Sequence, residues 1–406
     1  MLKKSSTVIF CLLICISSSS QIPQETNDLS ENYHPNLKNV LNHYKTTGEH
    51  EKFQAALFLI ENMSIHKSVN YKWFDSSNKE IGFSEFDFSE YTVAYNYLKK
   101  LKDSIGVRPK INIRYDVKTI TTELLISNID LAFFEWKNNP WSKHYSFETF
   151  CAYILPYRNL IEPLEHWRES IKKLVKSPKF KLEYTDDPTE ICTQILNELE
   201  DFTFVNKRPD PNPILSPSQM LFRRQGSCPD LASFAVLVCR SVGVAATFDF
   251  TPQYAASSNR HFWNTVIDKQ GAHIPFNGSA VNNVNKELPY TYNANLKRLG
   301  KVFRKTYSIQ KKSLANLIPK SQIPIGFLEE KNILDVTSEY VKVSDLNIDI
   351  KKFNDTTAYI NVFNLGKWRV IDWGEKKSNM MTFKKLEPVF VILLEDAKSA
   401  IRFVRQ

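Results

Sequence analysis

The chain has 406 residues, 42% of them hydrophobic and 13% aromatic, with only 11 glycines and a formal net charge of +9. That length and apolar content exceed one ordinary core and exclude a disordered or fibrous chain, so two or three independently packed domains are expected. The basic residues fall in scattered groups such as Lys99 and Lys100 or Lys311 and Lys312, without an organising motif, which indicates a solvated surface and excludes nucleic acid as an expected partner.

The first residues, MLKKSSTVIFCLLICISSSSQ, carry two lysines, an apolar run from Val8 to Ile16 and then small serines. This is the pattern of a secretory signal over residues 1–20, with the mature chain starting in the Ser17 to Gln21 region. Cys15 raises a second reading, lipidation as in a bacterial lipoprotein. Ile14 fits such a cleavage site poorly, because Gly, Ala or Ser usually precedes the cysteine, and Cys11 and Cys15 also read as plain apolar members of the signal core. The run is too short to span a bilayer and no other segment reaches about 20 apolar residues, so export with at most a lipid anchor is expected. Cys151, Cys192, Cys228 and Cys239 remain, too few for a disulfide scaffold, and at least one should be a free thiol.

Residues 21–200 read as a mostly helical region. Leu37 to Met63 gives two amphipathic helices joined at Thr47 and Gly48; Tyr71 to about Asn112 mixes an aromatic strand-like piece with a lysine-rich helix; and Ile120 to Leu174 is helical again, with Trp136, Trp141, Tyr153, Tyr157 and Trp167 as packing residues. Arg158, Glu162 and His166 recur at four-residue spacing and would share a helix face, but Pro163 interrupts it, which favours a structural or substrate-contact role over catalysis.

The proline-rich KRPDPNPILSPS marks a boundary or ordered loop, and residues 201–310 follow as a core of one long helix and several strands. Residues 320–406 close the chain as a small antiparallel β domain, read from the alternating TAYINVFNL, KWRVIDWG, MMTFKKL and PVFVILL. No internal repeat is visible.

The chemistry concentrates in RRQGSCPDLASFAVLVCRSVG. Cys228 opens a helix, Pro229 suits its first position, Asp230 favours the positive end of the dipole and Gly243 provides the stop. Ala232, Ala235, Val236 and Cys239 form one buried stripe, so Cys239 is core, whereas the Cys228 sulfur faces the free N–H groups of the first turn, which favour thiolate. Among eight histidines only His261 in RHFWNTVID and His273 in GAHIPFNG follow this helix at a plausible sheet crossover. If Ile267 pairs with Gly271, His261 lies opposite Asn277; a two-residue loop would instead turn Asn277 to the other face. In the first register Asn277 orients the His261 ring and leaves its other nitrogen for Cys228, the nucleophile–base–orienter logic of thiol acyl transfer.

The segment from Ser216 to Gly278 resembles the transglutaminase-like superfamily: GSCPDLASFAVLVCRSVG matches a Gly-x-Cys helix ending in Arg-x-x-Gly, HFW matches His-x-Trp, and HIPFNG stands where an acidic residue follows. The resemblance implies an α+β fold with a papain-like core, a cysteine-bearing helix on an antiparallel sheet. It makes Cys228 the nucleophile, His261 the general base and Asn277 the third member, the last departing from the usual aspartate. Trp263 would shield the site or, as an ordinary aromatic, fill the core. The Cys228 N–H would serve the oxyanion, with Gln225 or Gln219 as a second donor by residue type. The flanking regions look similar to those of large exported bacterial proteins, which implies a place in the periplasm, on the outer-membrane surface or outside the cell, with an envelope polymer or glycan as a candidate partner of the β domain.

The expected activity is therefore cysteine acyl transfer on a protein or peptide substrate through a thioester. Hydrolysis is favoured over cross-linking, because no calcium loop such as D-x-D-x-D-G is present, and no cofactor or metal is called for. The competing expectation is a non-catalytic envelope binding protein that keeps the fold, with Asn277 as the sign of lost chemistry.

Overall fold

A helix start at Pro35 and a stop at Gly48 set the first element. Helices α1 (Pro35–Thr47) and α2 (His50–Asn62) meet at Gly48, whose φ of 72° ends α1 in the left-handed region. The structure is a computed structural model and describes residues 34–208, 214–255, 260–278, 298–350, 356–387, 391–396 and 402–405; the signal region with Cys11 and Cys15 lies outside the described residues.

Strands β1 (Lys67–Phe74) and β2 (Glu80–Ile81), helix α3 (Tyr91–Ile105) and strand β3 (Arg108–Tyr115) follow, and β1 pairs antiparallel with both neighbours in the order β2-β1-β3. The N-terminal region thus carries a small sheet beside its helices. Helices α4 (Asp116–Thr119), α5 (Thr122–Asn138), α6 (Phe147–Tyr153), α7 (Trp167–Val175) and α8 (Pro188–Glu198) complete it.

Residues 154–166 form no helix, so Arg158, Glu162 and His166 do not share a helix face. The Arg158 guanidinium instead clasps the buried Asp116 at 2.5 and 2.8 Å, the Glu162 carboxylate accepts from the amides of Asn159 and Leu160, and His166 stands at the start of α7. Pro163 and these competing side-chain bonds break the periodicity.

Strand β4 (Thr203–Phe204), helix α9 (Pro217–Arg223), strand β5 (Gln225–Gly226) and helix α10 (Cys228–Ser241) come next, followed by strands β6 (Ala246–Thr251), β7 (His261–Ile267), β8 (His273–Phe276) and β9 (Phe303–Lys305), helix α11 (Leu314–Leu317), strand β10 (Ile333–Asp335) and helix α12 (Thr337–Tyr340). The sheet runs β10-β9-β6-β7-β8, antiparallel throughout. Helix α10 lies on one face of it while α7, α8 and α9 cover its other side, so every residue from Asp230 to Ser241 is buried. The single buried stripe expected from periodicity understates this: Leu231, Phe234, Leu237 and Val238 supply the second apolar side that a helix enclosed all round requires.

The C-terminal sheet comprises β11 (Ser344–Asp349), β12 (Thr357–Asn364), β13 (Lys367–Lys377), β14 (Met380–Leu386), β15 (Val391–Asp396) and β16 (Arg402–Arg405), in the order β11-β14-β13-β12-β15-β16. It joins the core through buried Lys301, whose ammonium lies 2.6 Å from Asp335 and 3.4 Å from Asp372.

Candidate active site

Gly226, Ser227 and Asp230 build the start of α10. The Asp230 carboxylate accepts from the backbone N–H and hydroxyl of Ser227, takes the Leu215 amide at 2.8 Å and pairs with Arg208 at 2.9 Å. It is therefore an anchor for three segments as well as a partner of the helix dipole. A side chain at Gly226 would put its Cβ 2.7 Å from that of Asp230, which is why glycine precedes Ser-Cys here.

At the other end of α10, the buried Arg240 donates to the carbonyls of Tyr153, Arg158 and Ala246, and burial pulls its pKa down to about 10. Arg168 donates to the Arg240 carbonyl at 2.9 Å and to Asn128 at 2.7 Å. Both arginines hold the helix by saturating backbone carbonyls.

Cys228 is half-buried, with its sulfur 3.8 Å from Nδ1 of His261 and 3.4 Å from the carbonyl of Phe262. Two acceptors thus stand near one thiol: a proton resting on sulfur can go to the Phe262 carbonyl, whereas a proton on Nδ1 faces a thiolate. His261 opens β7, and its ring lies 6.0 Å from that of Tyr254 and 5.9 Å from that of Trp263, both nearly parallel to it.

Trp263 is fully buried, and its indole N–H donates to the Tyr340 hydroxyl at 3.0 Å. Tyr340 in turn donates to Asp249 at 2.6 Å, a carboxylate that Arg304 grips through two bonds of 2.9 and 2.8 Å. Burial, and then the charge of Asp249, push the Tyr340 hydroxyl pKa well up, so it stays a neutral link.

Register differs from both alternatives read from sequence. Ile267 pairs with His273 across residues 268–272, where Asp268 accepts the amides of Gln270 and Ala272 and Gly271 takes a φ of 83°. The side chain of Asp268 stabilises a longer connection than the sequence suggests. The shift from the three-residue reading is two residues, and the ladder ends at Asn264 opposite Phe276, one residue short of Asn277. Asn277 is buried.

Gln225 sits on β5 and lines a cleft with Tyr91, Tyr95, Arg208 and Arg223, whereas Gln219 turns its carboxamide to the Ser216 amide to cap α9. His273 approaches the Tyr153 hydroxyl and Glu339, and burial pulls its pKa to about 4.

One residue that sequence reading passed over is Asn264. Fully buried, it donates to the Ala232 carbonyl of α10 at 2.8 Å and accepts the Gly278 amide at 3.1 Å. The signal was an amide on the Phe262 and Val266 side of an alternating strand, where an apolar residue is the rule.

Among known proteins, residues 179–278 match the family model of the Transglutaminase-like superfamily, a span that opens ahead of α8 and ends just past β8. A solved structure from Cytophaga hutchinsonii, presented as a candidate cysteine protease, is similar at 18% identity and a TM-score of 0.22, over 35% of this chain and 49% of that one; the chain thus spans about half its length. No curated protein matches the chain. The core over these residues has a transglutaminase-like α+β fold.

Proposed function

We infer that a chain whose residues 179–278 are transglutaminase-like is an exported cysteine acyl-transfer enzyme acting on peptide or protein amides. The observation that carries this reading is the 3.8 Å approach of the Cys228 sulfur to His261 Nδ1, made by a helix start and a strand start held together by Asn264. With the proton on Nδ1, the thiolate attacks the amide carbonyl and forms a C–S bond. The oxyanion accepts from the Cys228 N–H in the first turn of α10, where the helix dipole favours negative charge. His261 gives its proton to the departing amine as the C–N bond breaks, then accepts one from water or a second amine that attacks the thioester, whose C–S bond breaks to release the acyl product and return the Cys228 thiolate. Asn277, buried and one residue beyond the end of β8, is assigned as the orienter of His261.

Export rests on the sequence of residues 1–20, and no helix among the described residues is long and apolar enough to cross a membrane. The test of the reaction is to incubate the full chain with a library of peptide amides and to look for an acyl adduct on Cys228 by mass spectrometry. The adduct should be released by hydroxylamine and absent from Cys228→Ala. Product formation at equal rate by Cys228→Ala would remove the cysteine from the chemistry, and binding of peptides without any adduct or product would leave the fold a binding module.

A further inference from the structure

The sheet β2-β1-β3 ends on β3, which pairs with β1 and, among the described residues, has no strand on its other side. The ladder decides which backbone groups that edge presents. The Asp116 amide donates to the His66 carbonyl at 3.1 Å, one position past the pair Lys67–Tyr115, while the Val69 amide turns away to the Ile161 carbonyl at 3.0 Å. Alternation therefore gives the bonds to β1 to Lys110, Asn112 and Arg114, opposite Lys72, Asn70 and Ser68, and turns the N–H and C=O of Ile111 and Ile113 outward. Pro109 closes one end of this open run, and at the other the Tyr115 carbonyl accepts the Thr119 hydroxyl at 3.0 Å.

Side chains of β3 divide by face. Ile111 at 58% exposure, Ile113 at 51% and Tyr115 at 49% form an apolar strip, and the exposed Arg108, Lys110 and Arg114 lie on the opposite face. Among the described residues no carboxylate reaches ion-pair distance of these three cations: Glu80, on their face, is taken by Lys72 at 2.9 Å, and Lys110 lies over the Phe74 ring at 4.3 Å. A second copy of the chain does not suit this edge. The antiparallel register about Asn112, which lets Ile111 bond Ile113 of the other copy, would set each Lys110 opposite an Arg114, like charge on like. A strand with carboxylates at alternate positions instead places them beside the cations, and its remaining side chains fall on the isoleucine strip.

We propose that the open edge of β3 docks an extended segment of a partner protein in which apolar and acidic residues alternate, added as the next strand of the sheet. The site is independent of Cys228 and of the acyl-transfer reading. Its test uses the full chain carrying Cys228→Ala, so that no turnover intervenes, and two fluorescein-labelled octapeptides, one alternating valine with glutamate and one alternating valine with lysine. Binding is read by fluorescence anisotropy at low salt.

The glutamate peptide should bind about tenfold more tightly than the lysine peptide. Ile113→Pro removes an outward N–H without touching the bonds to β1, and should abolish binding of both peptides while leaving the circular dichroism spectrum unchanged. Lys110→Glu combined with Arg114→Glu should reverse the preference, and this pair, confined to exposed side chains, decides alone if Ile113→Pro misfolds. Equal binding of the two peptides, binding of neither, a preference that survives the charge reversal, or binding that survives Ile113→Pro overturns the proposal. So does dimerisation of the full chain in analytical ultracentrifugation that Ile113→Pro abolishes, since a second copy would then hold the edge.

Discussion

Asn264 Nδ2 donates to the carbonyl of Ala232 at 2.8 Å, tying the strand that begins with His261 to the helix that begins with Cys228. Its Oδ1 accepts from Gly278, so one amide side chain fixes helix, strand and the backbone next to Asn277. Replacement by leucine fills the space but leaves the Ala232 carbonyl and Gly278 amide without their partner. Asn264→Leu should cost about 2 to 4 kcal/mol in urea unfolding, and labelling of Cys228 should lose its dependence on His261. A variant as stable as the parent would show that Asn264 is not a tie.

Gly278 is the second half of the same device. A Cβ there would meet that of Ala235 at 2.6 Å and Asn264 Oδ1 at 2.7 Å, and neither neighbour is the far end of a flexible chain. Gly278→Ala should lower stability by about 1 to 3 kcal/mol, with Gly271→Ala as a control whose added Cβ meets nothing within 4 Å. The control is still strained by its φ of 83°, so the distinguishing readout is activity, which Gly278→Ala should reduce and Gly271→Ala should spare.

For Asn277, substitution by aspartate should retain turnover or raise it, because a carboxylate both orients the imidazole and stabilises its cationic form. Alanine should slow turnover by between about tenfold and a hundredfold as the ring loses its orientation, with KM little changed. Parent-like rates in Asn277→Ala would place the orienter elsewhere, with the residues level with His261 as the next to test.

A pH effect follows from Asp372, which burial pushes up to about 7 against the pull of Lys301. Its folded pKa lies above the usual carboxylate value, so the folded state holds a proton that the unfolded state has released. Stability from this group therefore falls as pH rises from about 4 to 7. Asp372→Asn removes the titration. The difference in unfolding free energy between variant and parent should move in the variant's favour across that window and level off above it. A constant difference would mean that Asp372 titrates normally.

The helix at Cys228 was legible because its signals are local: Pro229 and Asp230 in its first turn and Gly243 beyond its end all point one way. The small C-terminal sheet was legible for the same reason, from the alternation in TAYINVFNL, KWRVIDWG and MMTFKKL, which fall on β12, β13 and β14. The β7–β8 register was not, because it depends on a side chain of the loop, Asp268, satisfying two amides and so favouring five residues over three. Nor could the tie from Asn264 or the cleft at Gln225 be read, since Ala232 and Asn264 lie 32 positions apart and Tyr91 lies more distant still from Arg223. Contacts of that kind belong to the tertiary arrangement alone.

Differential thiol reactivity tests the pairing of Cys228 with His261 most directly. Cys151, Cys192 and Cys239 are buried, and burial pushes the first two thiols upward, so they should stay inert in the native chain. The rate of iodoacetamide addition at pH 7, read by peptide mass spectrometry in the native chain and in His261→Ala, separates the outcomes. Cys228 should be alkylated first, faster than a cysteine of the denatured chain, and His261→Ala should slow it by about tenfold or more. Alkylation of Cys228 no faster than in the denatured chain, or equally fast without His261, would mean that the two side chains do not act as a nucleophile–base pair.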